Sequence, residues 1–156
     1  MPTYFITWTT YGTWLPGDIR GWVKSGMSGI QPPDPYLEQQ ARESMAGSAV
    51  LLTPQQRELV DKTIRDHCRI RGWQLHAINV RTNHVHVVVT ADCDPQVVMD
   101  QFKAWCSRKL SDQAGLVEQV AKKAGRRRWF TEGGDIEGIE DEAYFANAVH
   151  YVTECQ

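Results

Sequence analysis

No stretch of this chain approaches the roughly 20 consecutive apolar residues that a membrane-spanning helix requires. Cysteine is scarce: Cys68, Cys93, Cys106 and Cys155 are the only four among 156 residues, and none belongs to a C-x-x-C pair. The first absence excludes a helical membrane protein. The second excludes a disulfide framework and a cysteine zinc site, leaving the thiols as buried or inert groups. Residues 1–14 carry no basic flank, continuous apolar stretch or small-residue cleavage site, which predicts a cytoplasmic protein. Internal repeats and low-complexity tracts are also missing. Charge of neither sign dominates, with 17 Lys and Arg against 19 Asp and Glu. That balance conceals an asymmetry. Six of the nineteen acids lie between Glu132 and Glu142, so the remaining thirteen face seventeen basic residues elsewhere. Lys122, Lys123, Arg126, Arg127 and Arg128 form the densest basic cluster, which suits either a polyanion or a solvated surface.

With 42% hydrophobic and 23% charged residues, the composition is that of a globular protein, and the length predicts one domain over 1–156. Tyr4 to Trp14 is rich in β-branched and aromatic residues and predicts a first strand. From about 15 to 53, Pro16-Gly17, Gly21, Gly26, Gly29, Pro32-Pro33 and Pro35 predict an irregular insertion, with room for a short helix over Leu37 to Met45. Thr53-Pro54 opens a helix with apolar Leu59, Val60, Ile64 and Cys68 at helical spacing, and Gly72 ends it. Trp73 to Val80 and His84 to Thr90 predict an antiparallel hairpin. Asp94-Pro95 opens a further helix with a stripe of Val97, Val98, Phe102, Trp105 and Leu110, fading near Gln113. Arg128 to Ile139 predicts another strand or hairpin, and Glu140 to Gln156 a last helix. The fold class is therefore α+β: a ferredoxin-like βαββαβ antiparallel sheet, helices on one face, with a tyrosine-bearing C-terminal helix.

Chemistry concentrates in Asn83-His84-Val85-His86. Strand side chains alternate, so both imidazoles project from one face with Cα atoms roughly 6.5–7 Å apart, able to grip one cation. Val85, Val87 and Val89 point oppositely, under the helices, leaving His84, His86 and Val88 as a site floor. A pair of half-exposed histidines on a sheet is the alternative. A zinc hydrolase would add a third ligand, often from H-E-x-x-H, which is absent. The last helix carries Tyr144 and Tyr151, seven residues apart and nearly in line, beside the apolar stripe Phe145, Ala148, Val149 and Val152. Both tyrosines could simply pack with wet hydroxyls. A phenol with pKa about 10 becomes a plausible nucleophile only beside a cation that polarises its electrophile.

Asn83-His84-Val85-His86 on a strand, Trp129-Phe130-Thr131 before a Gly-rich strand, and a helix containing Tyr151-Val152-Thr153-Glu154-Cys155-Gln156 together resemble the single-tyrosine HUH transposases, where HUH denotes His, a hydrophobic residue, His. The nearer likeness is to the REP-associated tyrosine transposases and small insertion-sequence transposases; Tyr4-Phe5-Ile6-Thr7-Trp8 resembles their first strand. The resemblance covers nearly the whole chain. It implies an enzyme that nicks and rejoins single-stranded DNA at hairpin-associated sites through a 5′-phosphotyrosine intermediate. Tyr151 would be the nucleophile, and His84, His86 and Gln156 the ligands of Mg²⁺ or Mn²⁺. The partners implied are single-stranded DNA with hairpin ends and a second copy of the chain, with no membrane and no nucleotide cofactor. The family's glutamine falls one helical turn after the tyrosine. Gln156 falls five residues after Tyr151, which makes Glu154 its substitute. Trp14 and Trp22 are the expected stacking contacts for DNA, with Lys122, Lys123, Arg126, Arg127 and Arg128 on its backbone. A catalytically weak domesticated hairpin-binding protein and an HUH replication or mobilisation initiator are the alternatives.

Overall fold

A computed structural model describes residues 1–13, 20–21, 29–43, 49–115 and 129–154. Strand β1 (Thr3–Thr9) is followed by helices α1 (Pro35–Glu43) and α2 (Pro54–Arg71), strands β2 (Gln74–Val80) and β3 (His84–Thr90), helix α3 (Pro95–Gln113), strand β4 (Asp135–Ile139) and helix α4 (Glu142–Glu154). The four strands form one sheet in the order β2-β3-β1-β4, with every neighbouring pair antiparallel. This is the expected ferredoxin-like arrangement.

Local chemistry sets the element ends. Thr53 caps α2 in a reciprocal box with Gln56, Pro54 occupies the first turn, and Gly72 closes the helix at φ 73°, where a Cβ would be strained. Asp94 caps α3 through the Gln96 amide at 2.8 Å, ahead of Pro95. Asp141 accepts from the Tyr144 amide at 2.7 Å and caps α4.

Alternation on the strands divides the sheet into two unlike faces. Ile6 and Trp8 of β1 and Val85, Val87 and Val89 of β3 point to one side, against Val60, Ile64 and Cys68 of α2 and Val98, Met99, Phe102, Cys106 and Leu110 of α3. Full burial of one such large apolar side chain stabilises by about 1.5–3 kcal/mol, so this face holds the bulk of the fold's apolar stabilisation. Ala77 and Val88 point the other way and meet Ala148 and Val152 of α4, with Phe5, Ile139, Phe145 and Val149 around them. Two helices thus cover one face and the tyrosine-bearing helix lies on the other.

Two expectations are revised. The first strand stops at Thr9, with a single bridge from Thr10 to Phe130, because the chain then turns to take a bond from Val50 N to Tyr11 O at 2.8 Å. The end of the insertion is irregular, as expected, and is also packed: Val50 and Leu52 are buried in the main core, and Leu52 N bonds Thr82 O at 2.7 Å. On α3, Val97 and Trp105 are 42% and 40% exposed, since the buried stripe follows Val98, Met99, Phe102, Cys106 and Leu110 instead. Trp8, Trp73 and Trp129 are core residues. Among the described residues, no helix is long and apolar enough to cross a membrane.

Candidate active site

The face covered by α4 carries the histidine pair. Register places Asn79 of β2, His86 of β3, Thr7 of β1 and Asp135 of β4 in one transverse row, all on that face. His84 follows one step along β3, its ring centroid 4.5 Å from that of His86. Tyr151 of α4 sits over the row, its ring centroid 5.7 Å from His86 and 6.1 Å from Phe5, and it is 47% exposed. Phe5 also meets the His86 ring edge-on at 5.7 Å. Two histidines on β3 and a tyrosine more than sixty residues later are thereby brought together, as the sequence pattern anticipates.

Second partners orient the two rings. The Nδ1 atom of His86 lies 2.7 Å from Thr7 Oγ1, and Nδ1 of His84 lies 2.7 Å from Asn83 Oδ1. An amide oxygen only accepts, so His84 donates from Nδ1, and coordination by that ring would use Nε2. Thr7 engages His86 at the same atom, so that ring too would coordinate through Nε2. Burial, with His84 and Arg81 nearby, pushes the His86 imidazole down to about 4. It is neutral at physiological pH, the form a metal requires. Two imidazole nitrogen donors on adjacent same-face positions fit a first-row divalent ion such as Mn²⁺ more closely than the oxygen-seeking Mg²⁺. Among the described residues no group of three or more His, Cys, Asp or Glu completes such a shell. Gln156, the expected third ligand, lies outside the described residues. So do Trp14, Trp22, Lys122, Lys123, Arg126, Arg127 and Arg128.

The helix is tied to the sheet beside the tyrosine. Asn79 Nδ2 donates to the Val152 carbonyl at 2.9 Å. That carbonyl belongs to the last turn of α4, where acceptors lack a donor four residues on within the helix. Tyr144 is held differently: its hydroxyl donates to the Glu137 carboxylate on β4, which, with burial, pushes the phenol up to about 12. The two tyrosines are therefore not equivalent. Tyr151 faces the imidazoles, whereas Tyr144 is held as a phenol by an acid.

Thr7, Asn79, Phe5 and Glu137 were not anticipated. Strand alternation would have put Phe5 and Thr7 on one face, but only the pairing of β1 with β3 brings them to the histidines.

The family model described as transposase, IS200 like, matches residues 48–154, more than half the chain. No curated protein matches it. Among solved structures, a REP-associated tyrosine transposase bound to a REP hairpin superimposes with a TM-score of 0.55 at 14% identity. That match covers 97% of this chain but 64% of the other, so the chain spans less than two thirds of its length. A candidate transposase from Deinococcus radiodurans gives a TM-score of 0.53 at 14% identity, covering 96% of this chain and 87% of that one. At such identity these two likenesses speak for the fold.

Proposed function

The chain belongs to the IS200-like transposase family, and from that premise we propose that it is a metal-dependent transposase that nicks and rejoins single-stranded DNA at hairpin-associated sites. The observation that carries this reading is the approach of Tyr151 to the paired imidazoles, 5.7 Å between the Tyr151 and His86 rings. Phosphoryl transfer demands little covalent help from a protein beyond an aligned nucleophile and neutralised charge. Tyr151 is the nucleophile: its phenolic oxygen bonds to phosphorus as the phosphorus–3′-oxygen bond breaks, the phenolic proton passing to solvent and the departing oxygen taking one up. The product is a 5′-phosphotyrosine and a free 3′-hydroxyl. Attack by another 3′-hydroxyl reverses the step and restores the phenol, so the bond energy is kept and no nucleotide cofactor is consumed. His84 and His86 would hold Mg²⁺ or Mn²⁺ through Nε2, with Gln156 or Glu154 as further donor. The bound ion would supply charge neutralisation at the scissile phosphate. The family assignment and a fold shared with a hairpin-bound transposase support a hairpin-bearing DNA partner. A working homodimer is part of the same proposal.

The test is covalent trapping. Single-stranded oligonucleotides from both flanks of the encoding gene, each strand, are incubated with Mn²⁺ or EDTA and wild type, Tyr151→Phe or Tyr144→Phe. A metal-dependent protein–DNA adduct is expected from wild type and Tyr144→Phe and not from Tyr151→Phe. An adduct that survives Tyr151→Phe overturns the assignment of nucleophile. Tight hairpin binding with no adduct on any strand replaces the enzyme with a DNA-binding protein of the same fold.

A further inference from the structure

The face of the sheet covered by α2 and α3, opposite Tyr151, carries a concave surface, and the inference drawn from it stands independently of the proposed reaction. A cavity of about 550 Å³ runs between α2 and α3. Its wall on α2 extends from Leu59 to Ile70, and its wall on α3 includes Trp105 and Lys109. At 1.5 Å per residue the α2 wall is about 16 Å long, three turns of helix, which makes the space a furrow and not a compact pocket.

The furrow has an apolar floor and basic ends. Ile70 is 76% exposed and Trp105 40% exposed, an unusual pair of large apolar side chains to leave in water on neighbouring helices. Lys62 and Lys109 stand toward one end and Arg71 at the other, with Asp66 between them. Asp66 is already engaged by Lys62 and Arg69, both at 2.9 Å. Arg71 and Lys109 have no ion-pair partner among the described residues. Net positive charge at both ends of an apolar floor is complementary to a segment with apolar side chains along one face and acids at its ends.

We infer that the α2–α3 furrow is a docking site for an acidic amphipathic helix of a partner protein. Three turns of such a helix match the length of the wall, its apolar residues at i, i+4, i+7 and i+11 cover Leu59, Ile70 and Trp105, and its Asp and Glu meet Arg71 and Lys109. Nucleic acid fits this surface less well. The Arg108 guanidinium lies 4.9 Å from the Trp105 ring centroid and occupies an indole face on which a base would stack. A phosphate backbone would also leave Ile70 uncovered.

The experiment is selection from a phage-displayed library of 14-residue peptides on the full-length chain, with counter-selection on an Arg71→Glu, Lys109→Glu double variant. Both positions are exposed, so charge reversal there leaves the core intact, and a matching thermal melt verifies it. Enriched sequences are expected to combine helically spaced apolar residues with Asp or Glu. A synthetic peptide of that sequence should bind the double variant about tenfold more weakly or worse, and Trp105→Ala should weaken it independently of charge. Failure to enrich such sequences over the counter-selected variant overturns the proposal. So does displacement of the peptide by a dT12 oligonucleotide whose own binding is lost in the same double variant, which would make the furrow a nucleic-acid site.

Discussion

Asn79→Ala should loosen the tyrosine-bearing helix while leaving the rest of the fold in place. The substitution removes the bond from Asn79 Nδ2 to Val152 O, 2.9 Å long, and little else. A net intramolecular hydrogen bond contributes about 1 kcal/mol, and Asn79 is half-buried, so water only partly replaces it. The buried contacts of α4 with the sheet comprise Ala148 and Val152 against Ala77 and Val88, a small interface beside the core under α2 and α3. A loss of about 1 kcal/mol is therefore a sizeable fraction of what holds α4 down, and it shifts the local opening equilibrium about fivefold. Hydrogen exchange read peptide by peptide should show residues 145–154 exchanging about five times faster, with α2 and α3 unchanged. Adduct formation by Tyr151 should fall by a similar or smaller factor, because the docked population falls from a high starting value. Unchanged exchange in α4, or equal acceleration throughout the chain, would refute the reasoning: in the first case the bond holds nothing, in the second α4 does not open on its own.

Thr7→Val keeps the shape of the side chain and removes the Oγ1 that orients His86; Mn²⁺ affinity by titration calorimetry should fall roughly tenfold and recover in Thr7→Ser. His76 and His86 are both held below the ordinary imidazole value, chiefly by burial, so the folded state binds fewer protons than the unfolded one. Stability in EDTA is therefore complete above about pH 6.5 and should decline as pH falls, the His86 share ending near its folded value of about 4; a melting temperature flat across that window would contradict this. Glu137→Gln replaces the carboxylate that keeps Tyr144 a phenol with a neutral amide, and absorbance titration should show one tyrosine ionising below its wild-type value of about 12. Gly134→Ala should destabilise the protein by more than 1 kcal/mol, since a Cβ there would come 2.6 Å from Thr7 O and 2.6 Å from Met99 Sδ; a melt within a degree of wild type would show that the backbone yields.

Much of this molecule is legible in its sequence because its strongest determinants are local. Thr53-Pro54, Gly72 and Asp94-Pro95 mark helix ends by hydrogen bonding and backbone restriction, and each is where the pattern places it. The period of two in His84–Thr90 separates imidazoles from core valines without knowledge of any partner strand. Thr7 and Asn79 were not legible, because each acquires its role from a cross-strand register and a polar residue on a half-buried strand has no local mark of its use. Trp105 misled for a related reason. It lies within a broad apolar arc of α3, and only the angle at which α2 meets that helix decides which edge of the arc faces solvent.

The transverse row Asn79, His86, Thr7 and Asp135 also bears on how such a chain can vary in length. Insertion of one residue within β3 ahead of His86 would turn the downstream valines toward Tyr151 and the imidazole into the core, so the site depends on the strand length there. Among the described residues no strand of the sheet lies between Thr13 and Val50, so residues added in that interval change the register of none of the four strands. Lineages of this fold should accordingly accumulate insertions and deletions in that interval while the spacing from His84 to Thr90 stays invariant.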